Sequence, residues 1–321
     1  MPAIITHDFF GRDVYDRLYH TIGGSRDEAD AFLLGNQGPD PLFYTVISPQ
    51  LTGHTRIGNT MHSERPTELI KAFRDAVDLL PADEHAIGRA YALGFLCHYT
   101  LDSTMHPYVY YHEYALCDAG EPGLSRADGH EVHAIIESEL DELVLFAKRE
   151  ETIRTFNPAT EILRGSPTVL RIASKLYAHV AAAAYGETVP PALFAIAVKD
   201  FRLVQRVFYS PTGLKRSLAG RIERTLRRHS FFQSMSHRAT PLTESIFDNR
   251  QHRPWKSPFT NEVSTKGFWD LFTEAKDRAV ASIAAFDAPT FTLDDARELT
   301  GGLNFSGDPT EAVIVAVEDH A

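Results

Sequence analysis

Cysteine is scarce in this chain, and an excess of positive charge is missing. Cys97 and Cys117 are the only cysteines among 321 residues, and they do not form a Cys-x-x-Cys pair. Two such residues can build neither a disulfide scaffold nor a thiolate zinc site. The 43 acidic residues outnumber the 32 lysines and arginines, which gives a net charge of −11. This balance disfavours a general nucleic-acid binder, whose affinity depends on many cations that meet phosphates.

Long apolar runs are missing as well. The first thirty residues contain five aspartates and no extended apolar core, so they do not resemble a signal peptide. The most apolar later stretch, 176–198, is interrupted by Gly186, Glu187 and two prolines, which makes it a poor membrane span. The sequence therefore predicts a cytoplasmic protein without a signal peptide or a transmembrane segment.

Apolar side chains recur at helical rather than alternating spacing. In residues 67–80, several of them, Leu69 and Phe73 among them, fall on one face of a helix. Pro107 is expected to end a second helix, because a proline discourages helix in the residue before it. Convincing strands are missing, although VIVAV at 313–317 could be a short strand or a helical end, so the predicted fold class is all-α. The further predicted helices are 86–105, 130–149, 168–185, 192–208, 213–228 and 266–286.

Glycine and proline concentrate in one long segment, 35–66, which is predicted to be a loop. A structureless stretch of this length is usually functional or disordered. The aromatic side chains of Phe43 and Tyr44 argue against disorder, so the segment is predicted to carry function. A break near 150–167 could divide two domains, although nothing in the sequence requires the halves to fold apart. Other loops are predicted at 118–129, 157–167, 237–265 and 300–310.

Histidine is the residue that points to chemistry, because ten of the fifteen histidines lie between His7 and His133. In GFLCHYTLDSTMHP, the side chains of His98, Asp102 and His106 are spaced four residues apart and would share one helix face. Burying two imidazoles and a carboxylate there is costly without partners, which metal ions would supply. The alternative is a buried His–Asp hydrogen-bond pair followed by a histidine at the helix end.

A second cluster lies in GHEVHAIIESELDELV. His133 and Glu137 stand at positions i and i+4, with His130 a turn earlier and Asp141 a turn later. One helix can offer a nitrogen and an oxygen to one metal ion at this spacing. Alternatively, the acidic side chains form a solvated face that His133 borders.

Three further candidates lie in separate segments. Asp40 follows the sharp turn that Gly38 and Pro39 are expected to impose in LLGNQGPDPLFY, although an ordinary Asx-type turn would use the same residues. His62 lies in GNTMHSERP, and His7 lies in ITHDFFG. Each signal is weak alone, so the prediction of a site depends on their joint presence.

The candidates form a donor set of oxygen and nitrogen without thiolate, which is typical of a catalytic zinc cluster or of a related transition ion. One catalytic zinc ion needs three protein ligands, so eight candidates predict two or three ions. Adjacent divalent ions lower the pKa of a bound water to about 7 and stabilise both oxygens of a phosphoryl displacement. The candidate metal ligands are His7, Asp40, His62, His98, Asp102, His106, His133 and Glu137.

These motifs resemble those of the zinc-dependent phospholipase C family. The matching elements are THDFFG, GNQGPD, the MH of GNTMH, HYTLDSTMHP and HAIIESELD, which occur in the family's order between residues 7 and 141. Two later segments also resemble bacterial members of the family, but more weakly than these elements do. They are RQHRPWKSP and FWDLF. The resemblance implies one all-α, multi-helix domain over residues 1–300, of a type shared with single-strand nucleases and 3′-nucleotidases. It would have supporting helices in 168–286 and a C-terminal tail at 301–321.

The resemblance also implies how the ligands divide among the ions. One zinc ion would be held by Asp40, His62, His98 and Asp102. A second would be held by His106, His133 and Glu137. Asp102 would bridge to a third ion, with His7 as another ligand, and a water between the first and third ions would be the nucleophile. Asp40 would act as a general base as well as a ligand.

The implied function is that of a metal-dependent phosphoester hydrolase, with a phospholipid or a small phosphoester as substrate. The alternatives are a nuclease or nucleotidase of the same fold and a catalytically silent metal-binding helical protein. The acidic balance counts against long nucleic acids as substrates. Pro41 follows Asp40 where the secreted enzymes carry an aromatic residue that lines the choline pocket, so choline specificity is not predicted.

A basic segment stands apart from these motifs. Residues 215–228, KRSLAGRIERTLRR, contain six lysines and arginines and only one acidic residue, Glu223. A basic helix can lie on anionic lipid, which would give peripheral membrane contact. The alternative is an ordinary solvated helix face.

Overall fold

A computed structural model describes residues 3–120, 122, 124–223 and 230–311. Helices dominate this part of the chain, and the predicted all-α class is confirmed. Short 3-10 helices cover Asp40–Ile47, Pro49–His54 and Arg126–Asp128. The α-helices are α1 Ile4–Ile22, α2 Arg26–Gly35, α3 Ile57–Ser63, α4 Pro66–Asp78, α5 Ala82–Cys117, α6 Gly129–Arg149, α7 Pro158–Glu161, α8 Pro167–Tyr185, α9 Leu193–Phe208, α10 Leu214–Glu223, α11 Phe231–Ser234, α12 Phe268–Phe286 and α13 Leu293–Thr300.

The longest of these helices, α5, runs straight through the proline that was expected to end it. It contains 36 residues, which corresponds to about 54 Å of helix. A proline inside a helix removes one hydrogen bond and costs about 3 kcal/mol. Tyr108 and Val109, the two residues that follow Pro107, are nevertheless buried in the core. The prediction of a helix end near 105–107 is therefore wrong, because tertiary packing outweighs the local cost.

Helix α5 is the centre of the fold, and α1, α2, α6, α8 and α12 pack against it. Two glycines allow α2 to approach α5 closely. A Cβ atom on Gly35 would lie 2.2 Å from the carbonyl oxygen of Tyr91, and one on Gly94 would lie 2.0 Å from that of Phe32. The close crossing brings the segment that follows α2, which contains Asp40, next to His98 on α5.

The segment 35–66, predicted as a loop, is built mostly of short helices. The 3-10 helices Asp40–Ile47 and Pro49–His54 each carry a proline in the first turn, and α3 follows them. Proline suits this position because its fixed φ angle fits a helix and its missing N–H group would have no partner there. The prolines therefore start helices here, and the loop prediction is wrong.

Most other predicted helices are confirmed. Helices α4, α6, α8, α9 and α12 begin and end within about two residues of the predicted bounds. Helix α10 begins at Leu214, one residue after the predicted start, and the predicted continuation over 224–228 lies outside the described residues. The stretch 313–317 also lies outside them. Helices α1, α2 and α13 were not predicted, although Ser25 with Glu28 and Thr292 with Asp295 form the capping boxes that begin the last two.

Three other predicted loops contain some regular structure, and in 118–129 it is the 3-10 helix Arg126–Asp128. In 237–265, β1 Trp255–Lys256 pairs with β2 Val263–Ser264 as an antiparallel hairpin. In 157–167, α7 forms one helical turn. The segment 301–311, part of the predicted tail, packs against the domain, and Phe305 is buried there. Among the described helices, none is both long enough and apolar enough to cross a membrane.

Candidate metal centre

The structure brings all eight predicted ligands together around the middle of α5. Helix α5 contributes three of them, and α6 contributes two. The others come from α1, from α3 and from the start of the first 3-10 helix, at Asp40. Seven of the eight residues are buried, and only His62 is partly exposed.

The first group of side chains surrounds Asp40 and Asp102. The Nε2 atom of His62 lies 3.0 Å from Asp40 Oδ1, and that of His98 lies 3.8 Å from the same oxygen. His98 Nε2 is also 3.2 Å from Asp102 Oδ2, while His7 Nε2 is 3.1 Å from Asp102 Oδ1. The two oxygens of Asp102 therefore face different imidazoles, as the predicted bridging role requires.

The second group lies one turn further along α5. Glu137 Oε1 is 3.4 Å from His106 Nε2 and 3.3 Å from His133 Nε2. His106 Nδ1 lies 3.8 Å from Asp102 Oδ2, so the two groups adjoin through Asp102. The i, i+4 spacing on α6 places His133 and Glu137 on the same face, as the sequence predicts.

These separations are those expected of ligands that share a metal ion. Two atoms bound at about 2.1 Å to a tetrahedral zinc ion are about 3.4 Å apart. Three sets of three residues can be formed in which the ligand atoms of each set lie within 4.8 Å of one another. The sets are His7, Asp40 and His98; His62, His98 and Asp102; and His106, His133 and Glu137. These buried groups could therefore hold metal ions.

Four of the imidazoles are anchored through their second nitrogen, which fixes their orientation. Each Nδ1 atom lies near an oxygen acceptor, which favours a proton on Nδ1 and leaves the Nε2 lone pair directed at the site. Metal-binding histidines are typically held in this way. The acceptors are Gly58 O for His62 at 2.7 Å, Asn36 O for His98 at 3.1 Å, Phe305 O for His106 at 2.7 Å, and Glu113 Oε2 for His133 at 2.9 Å.

Several polar atoms of the centre have no hydrogen-bond partner. His98 Nε2, Asp102 Oδ2 and Glu137 Oε2 are buried and unsatisfied, and so is His7 Nδ1. The His7 ring stacks on the His98 ring, with centroids 4.3 Å apart. Buried polar atoms are rarely left unpaired in native proteins. Divalent cations would satisfy the unpaired atoms of His98, Asp102 and Glu137, so the donor set fits a metal centre.

Electrostatics in the metal-free centre support the same interpretation. Burial by itself lowers the pKa of His106, but Asp102 and Glu137 more than offset this and raise it to about 10. Burial raises the pKa of Asp102, yet His106, His98 and His7 bring it well below its usual range. Without metal, the carboxylates therefore draw protons onto neighbouring imidazoles. A metal ion would displace these protons on binding.

The turn before Asp40 is shaped to fit His98. Gly38 has a φ angle of +49°, and a Cβ atom there would lie 2.2 Å from the His98 ring. Its carbonyl oxygen accepts a hydrogen bond from the Tyr177 hydroxyl at 2.7 Å, and Tyr91 donates to that hydroxyl at 3.1 Å. The predicted sharp turn at Gly38 is thus present, and it is supported from α8 and α5.

A buried carboxylate next to the centre fixes the start of α1. Asp141 accepts hydrogen bonds from the backbone N–H groups of Ile5 at 3.1 Å and Thr6 at 2.7 Å, and from the Thr6 hydroxyl at 2.6 Å. His237 Nε2 lies 3.0 Å from Asp141 Oδ2, the oxygen that also accepts from Ile5. Asp141 stands one turn after Glu137 on α6, so this helix holds the centre and also the helix that carries His7.

The sequence motifs did not reveal all the supporting groups. Glu113 lies beyond the expected end of α5, and the carbonyl of Phe305 lies in the predicted tail. Asp141 was noted only as part of a cluster, and His237 was not expected to contact it. The helical spacing of Glu113, seven residues after His106, is the signal that could have found it once α5 was continued past Pro107.

A small cavity of about 30 Å³ adjoins the centre. Its polar wall consists of His7, Asp102, His106 and Glu137, and Met105 contributes to the apolar wall. This volume is enough for a water molecule or an ion. The partly exposed ligand His62 stacks on Phe43, with ring centroids 4.7 Å apart. The side of the centre that contains His62 is therefore the one nearest to solvent.

No family model, curated protein or solved structure matches this chain.

Proposed function

We propose that this protein is a metal-dependent phosphoester hydrolase of the phospholipase C type, with zinc as its metal. The observation that carries the proposal is the convergence of eight nitrogen and oxygen ligands from separate segments. Neighbouring ligand atoms in this cluster are 3.0 to 3.8 Å apart. Such a donor set without thiolate is suited to hydrolytic zinc.

The ligands would be divided among metal ions that occupy adjacent positions. Asp40, His62, His98 and Asp102 would hold one ion. His106, His133 and Glu137 would hold another. Asp102 with His7 would contribute to a third. Zinc bound there would supply Lewis acidity and a water that ionises near neutral pH.

The chain's own residues orient the reactants. Asp40, whose Oδ1 atom lies 3.0 Å from His62 Nε2, would accept a proton as general base. Since His62 is the most exposed ligand, substrate would approach from its side, where Phe43 offers an apolar surface. On the other sides the ligands are buried, so water would be excluded and their charges would be weakly screened.

Charge favours an anionic substrate. The centre contains three carboxylates among its ligands, so two divalent ions would give it a net positive charge. A positive pocket in a protein of net charge −11 would attract a phosphate group locally. We propose a phospholipid or a small phosphoester as the substrate.

The test is a screen of phosphodiesters and phosphomonoesters on samples whose metal content is measured by elemental analysis. Turnover that requires at least two zinc ions per chain, and that a chelator abolishes, is the expected result. Turnover confined to nucleotides or single-stranded nucleic acid would favour the nuclease alternative. Stoichiometric, non-exchangeable metal with no turnover on any phosphoester would contradict the proposal and favour a silent metal protein.

A further inference from the structure

Helix α10 directs its apolar side chains towards solvent. Leu214 is 73% exposed and Leu218 is 62% exposed, and the two residues are one helical turn apart. A surface helix of a globular protein normally turns this stripe towards the core. Lys215 and Arg221 lie on the two sides of the stripe, both exposed.

The polar side of α10 faces the protein instead. Arg216 donates from Nε to the carbonyl oxygen of Ser236 at 2.9 Å and from Nη2 to that of Gln233 at 3.2 Å. Gly220 is the buried residue of the helix, and a Cβ atom there would collide with the Gln233 side chain. The outward position of the leucines is therefore fixed by the contacts of the opposite face.

The preceding helix α9 carries a similar exposed face, and Lys215 Nζ of α10 donates to the Arg206 carbonyl oxygen of α9 at 3.4 Å. Leu203 is 50% exposed and Val207 is 47% exposed. Two exposed cations lie on the same side of the helix, Lys199 one turn before Leu203 and Arg206 one turn after it. Residue Phe201 on the opposite side of α9 is buried in the core. On each helix, exposed aliphatic side chains thus alternate with exposed cations.

The charge of this region is opposite to that of the whole chain. Residues 199–223 contain six lysines and arginines and two acidic residues, a net charge of +4, whereas the chain carries −11. Within the described part of the chain, Lys199, Arg206, Lys215 and Arg221 form no ion pair with a carboxylate. Arg224, Arg227 and Arg228 follow in the sequence and lie outside the described residues.

We infer that the exposed face of α9 and α10, formed by Lys199, Leu203, Arg206, Val207, Leu214, Lys215, Leu218 and Arg221, docks on an anionic lipid surface. The leucines and valine would enter the boundary between head groups and acyl chains. The cations beside them would meet lipid phosphates and carboxylates, with their aliphatic stems along the apolar surface. This combination of apolar stripe and flanking cations is the one that binds at a membrane interface.

Other occupants fit the face less well. A nucleic acid would satisfy the cations but would leave the leucines without an apolar partner. A symmetric dimer through the same face would bring two copies of it together, because a two-fold interface uses the same patch on both subunits. Its like charges would then repel one another. The lipid surface is therefore the occupant that the observations favour.

Co-sedimentation of the full chain with vesicles tests the inference. Vesicles of phosphatidylcholine alone are compared with an equal mixture of phosphatidylcholine and phosphatidylserine. We expect binding to the mixed vesicles only, and we expect Lys215→Gln with Arg221→Gln to weaken it by about 30-fold, since each cation near an anionic surface contributes about 1 kcal/mol. Leu214→Glu with Leu218→Glu should abolish it.

Matched variants elsewhere on the surface serve as controls. The double variant Leu79→Glu, Ile246→Glu replaces two aliphatic side chains that are 70% and 78% exposed. It should leave vesicle binding unchanged. Arg253→Gln with Lys256→Gln removes two exposed cations outside the face and should have little effect. Thermal unfolding of every variant shows whether it is folded.

Several results would overturn the inference. These are equal binding to both vesicle types, full binding by the leucine variant, and self-association in ultracentrifugation that the leucine variant abolishes without any lipid binding by the parent chain. Binding of a single-stranded oligonucleotide in place of vesicles would also overturn it. Docking and hydrolysis are measured separately, so a chain that docks but hydrolyses no phosphoester would contradict the proposed function alone.

Discussion

Glu113 Oε2 lies 2.9 Å from the Nδ1 atom of His133, whose Nε2 atom faces Glu137 in the candidate metal centre. The contact joins α5 to the second turn of α6. Gly129 at the start of α6 makes room for it, because a Cβ atom there would lie 2.5 Å from Glu113 Oε1. A carboxylate behind a ligating imidazole orients the ring and increases its basicity.

Replacing this carboxylate should weaken metal binding without removing a ligand. We expect Glu113→Gln to lower the affinity for zinc by about 10- to 100-fold, since an amide holds the imidazole less strongly. Competition with a chromophoric chelator measures the effect. Glu187→Gln, a change at an exposed glutamate, is the control. Unchanged affinity in Glu113→Gln would contradict the proposed support of His133 by Glu113.

Asp102 connects the two groups of ligands, so its replacement should affect both. We expect Asp102→Asn to lose metal and phosphoester hydrolysis together, because an amide cannot offer two anionic oxygens. Elemental analysis and the activity assay are made on the same sample. Asp83→Asn, at an exposed site in the first turn of the same helix, should keep both. Full metal content in Asp102→Asn would show that this residue does not bridge.

Asp141 should act on the centre through α1. We expect Asp141→Asn to lower the free energy of unfolding by about 1–3 kcal/mol, since buried donors at Ile5 and Thr6 lose an anionic acceptor. It should also lower the zinc content, because His7 follows these residues on the same helix. Chemical denaturation and elemental analysis measure the two effects, with Glu131→Gln on α6 as control. A loss of stability with full zinc content would limit Asp141 to a structural role.

The close contact between Gly38 and His98 should not tolerate a side chain. Gly38→Ala would place a methyl group against the His98 ring at a backbone φ of +49°, which disfavours residues other than glycine. We expect weaker zinc binding and a lower melting temperature. Gly53→Ala is the matched control, because no atom lies within 4 Å of a Cβ at that position. Equal effects of the two substitutions would contradict the proposed fit.

His112 should make stability depend on pH. Burial among aromatic rings lowers the pKa of His112 to about 4, so the folded protein holds this ring neutral. The unfolded chain takes up the proton near pH 6.5, and stability from this residue should therefore be lost as the pH falls from about 6.5 towards 4. Unfolding of the zinc-loaded protein across this range measures the slope.

Two variants separate His112 from the other histidines. His112→Phe should reduce the loss of stability at low pH, because the added ring carries no titratable group. His252→Gln, at a histidine whose side chain is 59% exposed, should leave the slope as it is. If His112→Phe and the parent chain showed the same slope, another group would have to be responsible.

The sequence and the structure agree best where the relevant geometry is local. The spacing of His98, Asp102 and His106 predicts one helix face, and that prediction needs only the period of an α-helix. The boundaries of α6 and α8 were likewise predicted from apolar spacing. The end of α5 and the segment 35–66 were predicted wrongly, because proline was interpreted from its local preference alone.

The amino-acid sequence by itself determined the kind of ligands, their spacing along each helix and the shortage of thiolates. Those properties belong to single segments, and they do not depend on which other helices a segment packs against. Only the tertiary structure decided that α1, α5, α6 and the turn before Asp40 meet, and that Glu113, Asp141 and the carbonyl of Phe305 support the ligands. It also decided that the leucines of α10 face solvent, because contacts between distant segments select one of the arrangements that the helical pattern allows.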